Sequence, residues 1–165
     1  MIDIHAHILP GIDDGAEDLQ DTIEMARMAV ASGITTMVAT PHCNIPGIYD
    51  NYYNENYIRL FNRVKNILED LDIPLTLLPG FEAFATPDLP LLIKDGMVQT
   101  INGGKYLLVE FPFEEDETYV EPILDDILKM GICPVVAHAE RYELVQKKPE
   151  IIQKWKNKGI LIQVN

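Results

Sequence analysis

The four histidines of this chain fall at or just past the carboxyl ends of segments that read as β-strands. His5 and His7 follow Met1-Ile2-Asp3-Ile4, His42 follows Thr36-Met37-Val38-Ala39-Thr40-Pro41, and His138 closes Cys133-Pro134-Val135-Val136-Ala137. Two glutamates sit alike: Glu82 follows Leu75-Thr76-Leu77-Leu78-Pro79-Gly80-Phe81, and Glu110 closes Tyr106-Leu107-Leu108-Val109. Imidazoles and carboxylates together are the ligand set of hard-to-borderline divalent metals. His5-Ala6-His7 places two imidazoles on one face of an extended strand, so both can reach one ion. Glu82 and Glu110 would be carboxylates at the mouth of an apolar sheet, where an unpartnered charge is costly. Metal coordination relieves that cost, and so does an Arg or Lys partner. An exposed loop is the other reading of Glu82.

The elements that must position these residues alternate. Helical spacing is carried by Leu19, Ile23, Ala26 and Val30, with Gly33 as a stop. It recurs from Tyr57 to Leu71, from Val120 to Leu128 and over Ile151, Ile152 and Trp155. Each apolar set repeats at 3–4 residues, as a helix buried on one side requires. Asp88 to Lys94 reads as a further short helix. Six near-continuous apolar strands start at Ile2, Ile34, Leu75, Tyr106, Cys133 and Ile160. Such strands between helices imply a parallel sheet covered on its faces, in the α/β class. In parallel α/β folds the carboxyl ends of the strands form one rim, where active sites sit. The scattered histidines and glutamates are therefore expected to converge.

Other residues carry a chemical reading beside a plain one. Asp13-Asp14 reads as a turn and N-cap for a helix starting near Glu17, or as a metal ligand or proton carrier. Arg141 suits a phosphate through paired N–H bonds, or a salt bridge to Glu140 or Glu143. Tyr49, Tyr52, Tyr53 and Tyr57 crowd the segment after His42; the group reads as an irregular loop, or as a lid whose rings meet a phenyl group. Cys43 lacks the phosphate-cradling loop and Arg of a cysteine phosphatase, and Cys133 begins a strand, so both read as packing residues. Glu114-Glu115-Asp116-Glu117 reads as a solvated loop that favours the next helix N-terminus.

With 165 residues the chain fits one domain, 1–165, able to bury most of its apolar surface. A net charge of −13 without a basic block argues against nucleic acid and against an anionic membrane surface. No apolar run approaches the ~20 residues of a membrane span. Two cysteines without a framework, and a candidate site that begins at His5, suggest a reduced, cytoplasmic setting.

The stretch Asp3-Ile4-His5-Ala6-His7-Ile8-Leu9-Pro10-Gly11-Ile12-Asp13-Asp14-Gly15 resembles the opening of the manganese-dependent bacterial tyrosine phosphatases of the PHP (polymerase and histidinol phosphatase) superfamily, enzymes of capsule and exopolysaccharide operons. Ala39-Thr40-Pro41-His42, Gly80-Phe81-Glu82, Val109-Glu110-Phe111-Pro112 and Ala137-His138-Ala139-Glu140-Arg141-Tyr142 match later blocks in order, so the resemblance covers the whole chain. It implies a distorted (β/α)7 barrel with up to three ions of Mn2+, with Fe, Zn, Co or Mg as alternatives. On that pattern His5, His7 and Glu82 hold a first ion. Glu82 bridges to a second, shared with Glu110 and His138, and Asp14 and His42 serve a third. Arg141, Asp14 and His42 become the catalytic candidates, and Arg141, Tyr49 and Tyr52 the substrate-binding ones. The implied reaction is attack of a metal-activated hydroxide on phosphotyrosine in the tail of a bacterial tyrosine kinase, with no phosphocysteine and no membrane insertion. The family pattern continues to an Asp-x-His and a further Arg beyond Asn165. The expectation is thus an incomplete barrel and weak turnover, from a fragment or a truncated homologue. A small-molecule phosphoesterase and a metal- or partner-binding module without turnover are the rival readings.

Overall fold

The computed structural model describes residues 1–165. In chain order its elements are β1 (Ile2–Ala6), α1 (Leu19–Ala31), β2 (Thr36–Ala39), β3 (His42–Cys43), α2 (Glu55–Asp70), β4 (Thr76–Pro79), β5 (Glu82–Phe84), α3 (Leu89–Lys94), β6 (Tyr106–Glu110), α4 (Glu117–Lys129), β7 (Cys133–Val136), α5 (Glu143–Lys147), α6 (Ile151–Asn157) and β8 (Leu161–Ile162). The alternation expected from periodicity is present. The helices bury the stripes that their spacing requires: Tyr57, Phe61, Val64 and Leu68 on α2, and Val120, Ile123, Leu124 and Ile127 on α4. On α1 the stripe runs through Thr22, Ala26 and Ala29, because the Thr22 hydroxyl donates to Ile8 O at 2.8 Å and is thereby satisfied inside.

The N-terminal signal for α1 belongs to Asp18, not to the Asp13-Asp14 pair. Asp18 accepts from the backbone N–H groups of Gln20 and Asp21 at 2.7 and 3.1 Å. Asp116, inside the acidic loop, caps α4 in the same way through Thr118 N.

Strand pairing is parallel throughout and forms two sheets, ordered β1-β2-β4 and β3-β5-β6-β7-β8. The division departs from the six-strand expectation in an instructive way. The segments at Ile34 and Leu75 each break and resume. β2 ends before Thr40-Pro41 and continues as β3; β4 ends at Pro79-Gly80 and continues as β5. A proline has no N–H for a ladder, so Pro41 cannot donate across the sheet, and only its O is used, accepting from Glu82 N at 3.1 Å. At Gly80 a Cβ would lie 2.9 Å from Val38 Cγ1, closer than any side chain tolerates. The Tyr57 hydroxyl donates to Gly80 O at 3.0 Å and accepts from Gly80 N at 3.2 Å, which ties this break to α2. His42 and Glu82 therefore begin strands of the second sheet instead of trailing strands of the first.

β1 pairs only with β2, and β8 only with β7. Between them lies a cleft of about 420 Å³ lined by Ile4, Val135, Ile152, Ile160, Leu161, Ile162 and Lys156. No helix is long and apolar enough to cross a membrane.

Candidate metal centre

The sheet break brings the ligand-type residues together. His42 and Glu82 are register partners between β3 and β5, and Phe84 is the partner of Glu110 across β5 and β6. Glu82 is buried at the centre of the group. Its Oε2 lies 3.1 Å from His5 Nε2, 3.2 Å from His7 Nε2 and 3.3 Å from His42 Nδ1, and its Oε1 lies 2.9 Å from His138 Nε2. Glu110 is buried beside it, with Oε1 2.7 Å from His42 Nδ1 and Oε2 3.6 Å from His138 Nε2. The exposed-loop reading of Glu82 is overturned, because strand β5 carries it into the interior.

The two aspartates divide their work. The Asp13 side chain is fully buried; its Oδ2 lies 2.7 Å from His7 Nδ1 and accepts from His42 N at 2.9 Å. Gly15 N donates to Asp13 Oδ1 at 3.0 Å. A carboxylate only accepts, so His7 carries a hydrogen on Nδ1 and faces Glu82 with Nε2. Asp14 stands exposed, with Oδ1 3.4 Å from His42 Nε2. Three sets have ligand atoms within 4.8 Å of one another: His5, His7 and Glu82; His7, Asp14 and His42; His42, Glu82 and Glu110. His138 reaches the same two glutamates from the other side.

The charges here are held in an unusual state. Burial disfavours imidazolium, but Asp13 and Glu82 outweigh it and push the His7 pKa up to about 10. Glu110 and Glu82 likewise overcome burial and push His138 up to about 9. His42 is raised by Glu110 and Glu82 against the same opposition. Glu82, though buried, is held far below the usual carboxylate range by His138, His5 and His7. Without metal, the imidazoles themselves supply the positive charge that balances the two carboxylates. In addition, His42 Nδ1 and Glu110 Oε1 face each other at 2.7 Å without hydrogen-bond geometry, and His138 Nδ1 is buried without a partner. Four imidazoles converging on two buried carboxylates, with polar atoms left unpartnered beside them, fit divalent metal ions.

A cavity of about 610 Å³ opens over the cluster. Arg141 lines it, its guanidinium Nε 4.0 Å from Glu140 Oε1. Tyr49 lines it too, its ring parallel to His42 with centroids 5.5 Å apart. On the other flank Phe113, 47% exposed, meets the His138 ring edge-on at 5.8 Å. Tyr52 does not reach this cavity: its hydroxyl donates to Asn44 Oδ1 at 3.3 Å and its ring lines a separate pocket. The Cys43 thiol is fully buried and its pKa is pushed up to about 12 by burial, so it is no nucleophile. Phe113, Ile48 and Gln163 were not legible as site residues. The signal for Gln163 was faint: one polar side chain within the apolar run Ile160 to Val164.

A family model described as "Capsular polysaccharide synthesis, CpsB/CapC" matches residues 1–165. The chain is 39% identical over 164 residues to "Tyrosine-protein phosphatase YwqE" of Bacillus subtilis (strain 168), covering 99% of this chain and 64% of that protein. It is 30% identical over 165 residues to "Tyrosine-protein phosphatase CpsB" of Streptococcus agalactiae serotype V, covering 100% of this chain and 67% of that protein. A solved structure described as "Crystal structures of YwqE from Bacillus subtilis and CpsB from Streptococcus pneumoniae, unique metal-dependent tyrosine phosphatases" superposes with a TM-score of 0.92 at 39% identity. That match covers 99% of this chain and 66% of the solved one. The chain thus spans just under two thirds of the length of the B. subtilis relative.

Proposed function

The chain belongs to the CpsB/CapC capsular polysaccharide synthesis family, and we propose that its site hydrolyses phosphotyrosine on a protein substrate with divalent metal ions. The observation that carries this reading is the convergence of four imidazoles on Glu82 beneath an open cavity. The relatives named as tyrosine-protein phosphatases support the substrate class. We take the two parallel sheets as part of a distorted (β/α)7 barrel of the PHP type, folded as the single domain 1–165. Mn2+ is the proposed metal, a bacterial tyrosine kinase the proposed substrate, and the cytoplasm the proposed setting.

The residues take the following parts. His5, His7 and Glu82 would hold one ion; Glu82, Glu110 and His138 a second; Asp14 and His42 a third. Bound there, the ions would supply Lewis acidity for water activation and for the charge of the phosphoryl group. The chain's own groups do the rest. Asp13 fixes His7 through Nδ1. Arg141 offers a guanidinium to the phosphoryl oxygens from the cavity wall. Tyr49 and Phe113 flank the cluster on its His42 and His138 sides, which suits a planar aryl group between them.

The test is elemental analysis of the purified chain with and without added Mn2+, joined to hydrolysis of a phosphotyrosine peptide and of an alkyl phosphomonoester in the same samples. Bound metal, peptide hydrolysis abolished by a chelator and restored by Mn2+, and slower turnover of the alkyl ester are expected. A folded chain that takes up no metal overturns the reading. Metal uptake with faster turnover of the alkyl ester moves the site to small phosphoesters.

A further inference from the structure

Just past β8, Gln163 makes four contacts that tie the end of this strand to the metal centre. Its backbone N donates to Val136 O at 2.8 Å, and its backbone O accepts from Ala139 N at 3.0 Å. Its side-chain Oε1 accepts from His138 N at 2.7 Å and lies 3.3 Å from His5 Nδ1. On the far side of the amide, Nε2 donates to Val164 O and Asn165 Oδ1 at 3.0 and 2.9 Å.

These contacts fix a proton. The backbone N–H of His138 can only donate, so the amide atom facing it is the oxygen. An amide oxygen can only accept, so the His5 nitrogen that meets it carries the hydrogen. His5 then carries a hydrogen on Nδ1, which leaves Nε2, 3.1 Å from Glu82 Oε2 and 3.2 Å from His7 Nε2, as the nitrogen that would meet an ion. The same oxygen steadies a second ligand. His138 has φ 34° and ψ 50°, a left-handed conformation costly for a residue with a Cβ. Gln163 grips that turn at Val136 O, His138 N and Ala139 N.

We propose that Gln163 is a positioning residue of the metal centre: one amide oxygen sets the tautomer of His5 and holds the backbone of His138. It would do so across the place where β1 and β8 share no ladder, linking ligands of two sheets by a side chain. The inference rests on the reading of His5 and His138 as metal ligands, and it adds a residue that touches neither metal nor substrate.

Two substitutions and one measurement on the unaltered chain test it. In the chain loaded with Zn2+, a diamagnetic stand-in, long-range ¹⁵N–¹H correlation is expected to show hydrogen on His5 Nδ1; hydrogen on Nε2, with the ion on Nδ1, overturns the proposal. Gln163→Met removes the acceptor at similar length, and is expected to weaken Mn2+ binding about 10- to 100-fold by titration calorimetry and to mix the His5 tautomers. Gln163→Glu keeps the acceptor oxygen and should restore affinity to near that of the parent. A Gln163→Met chain that loses only thermal stability, with affinity and tautomer unchanged, shows a merely structural amide and overturns the proposal. Should Gln163→Met fail to fold, the parent tautomer and the affinity of Gln163→Glu decide. A parent chain that binds neither Zn2+ nor Mn2+ defeats the metal reading itself, whereas metal binding with hydrogen on His5 Nε2 overturns only the role of Gln163.

Discussion

His42 faces Glu82 across the parallel pair β3–β5, with imidazole Nδ1 3.3 Å from carboxylate Oε2. The two residues lie far apart in the chain and meet because two strands break at Pro41 and Gly80 and resume in a second sheet. Glu82 is thereby the shared neighbour of all four histidines.

Glu82→Gln keeps the shape and removes the charge that these imidazoles share. Metal content is expected to fall by at least one ion per chain, and phosphotyrosine hydrolysis by more than about 100-fold, since second-sphere losses alone reach about 10- to 100-fold. Elemental analysis beside a peptide assay checks this. Unchanged metal content in the variant would falsify the bridging role.

Phe113→Ala should act on substrate choice. An aromatic contact contributes about 0.5–1.5 kcal/mol, so KM for an aryl phosphate should rise about 2- to 10-fold. KM for an alkyl phosphate should stay level, and so should the unfolding temperature, because Phe113 is largely exposed. Equal effects on both substrates would remove Phe113 from the aryl slot.

Tyr57→Phe strips both partners from the Gly80 peptide groups, which accept from and donate to the hydroxyl. The loss should be about 1–3 kcal/mol of stability, the cost of leaving buried polar groups unsatisfied. Urea unfolding measures it. Because Gly80 fixes the step that delivers Glu82, Mn2+ affinity should weaken as well. A variant as stable as the parent would show that the strand break needs no anchor.

The last prediction concerns pH and lies away from the metal centre. Glu121 on α4 accepts from Trp155 Nε1 at 2.8 Å and from Lys158 Nζ at 2.6 Å, joining α4 to α6. Burial acts to raise its pKa, but Lys158 and Trp155 prevail and hold it below the ordinary 4.5. A depressed folded pKa means stability that is present above the unfolded value and lost as pH falls through the folded one. The stability gap between the parent and Glu121→Gln should therefore be full at neutral pH and shrink in acid below 4.5. Denaturant titrations along a pH series measure the gap; one that widens in acid reverses the sign and refutes the assignment.

Local rules in the sequence set most of the elements and raised the metal reading of the site. Apolar spacing of three to four residues wrote α2 and α4 correctly, and short apolar runs wrote β1, β6 and β7, but not the strands that begin at His42 and Glu82. Residue type alone announced a metal-seeking cluster. Tertiary structure decided which residues meet. Parallel pairing joins segments distant in sequence, so no local pattern could reveal that Pro41 and Gly80 shift two strands into a second sheet and set His42 against Glu82. Nor could it divide Asp13, buried and clasping His7, from Asp14, exposed beside His42. The same holds for Tyr49 over Tyr52 and for Gln163. Each of those choices depends on which way a side chain points once a distant strand or helix packs against it, and that direction exists only in the folded chain.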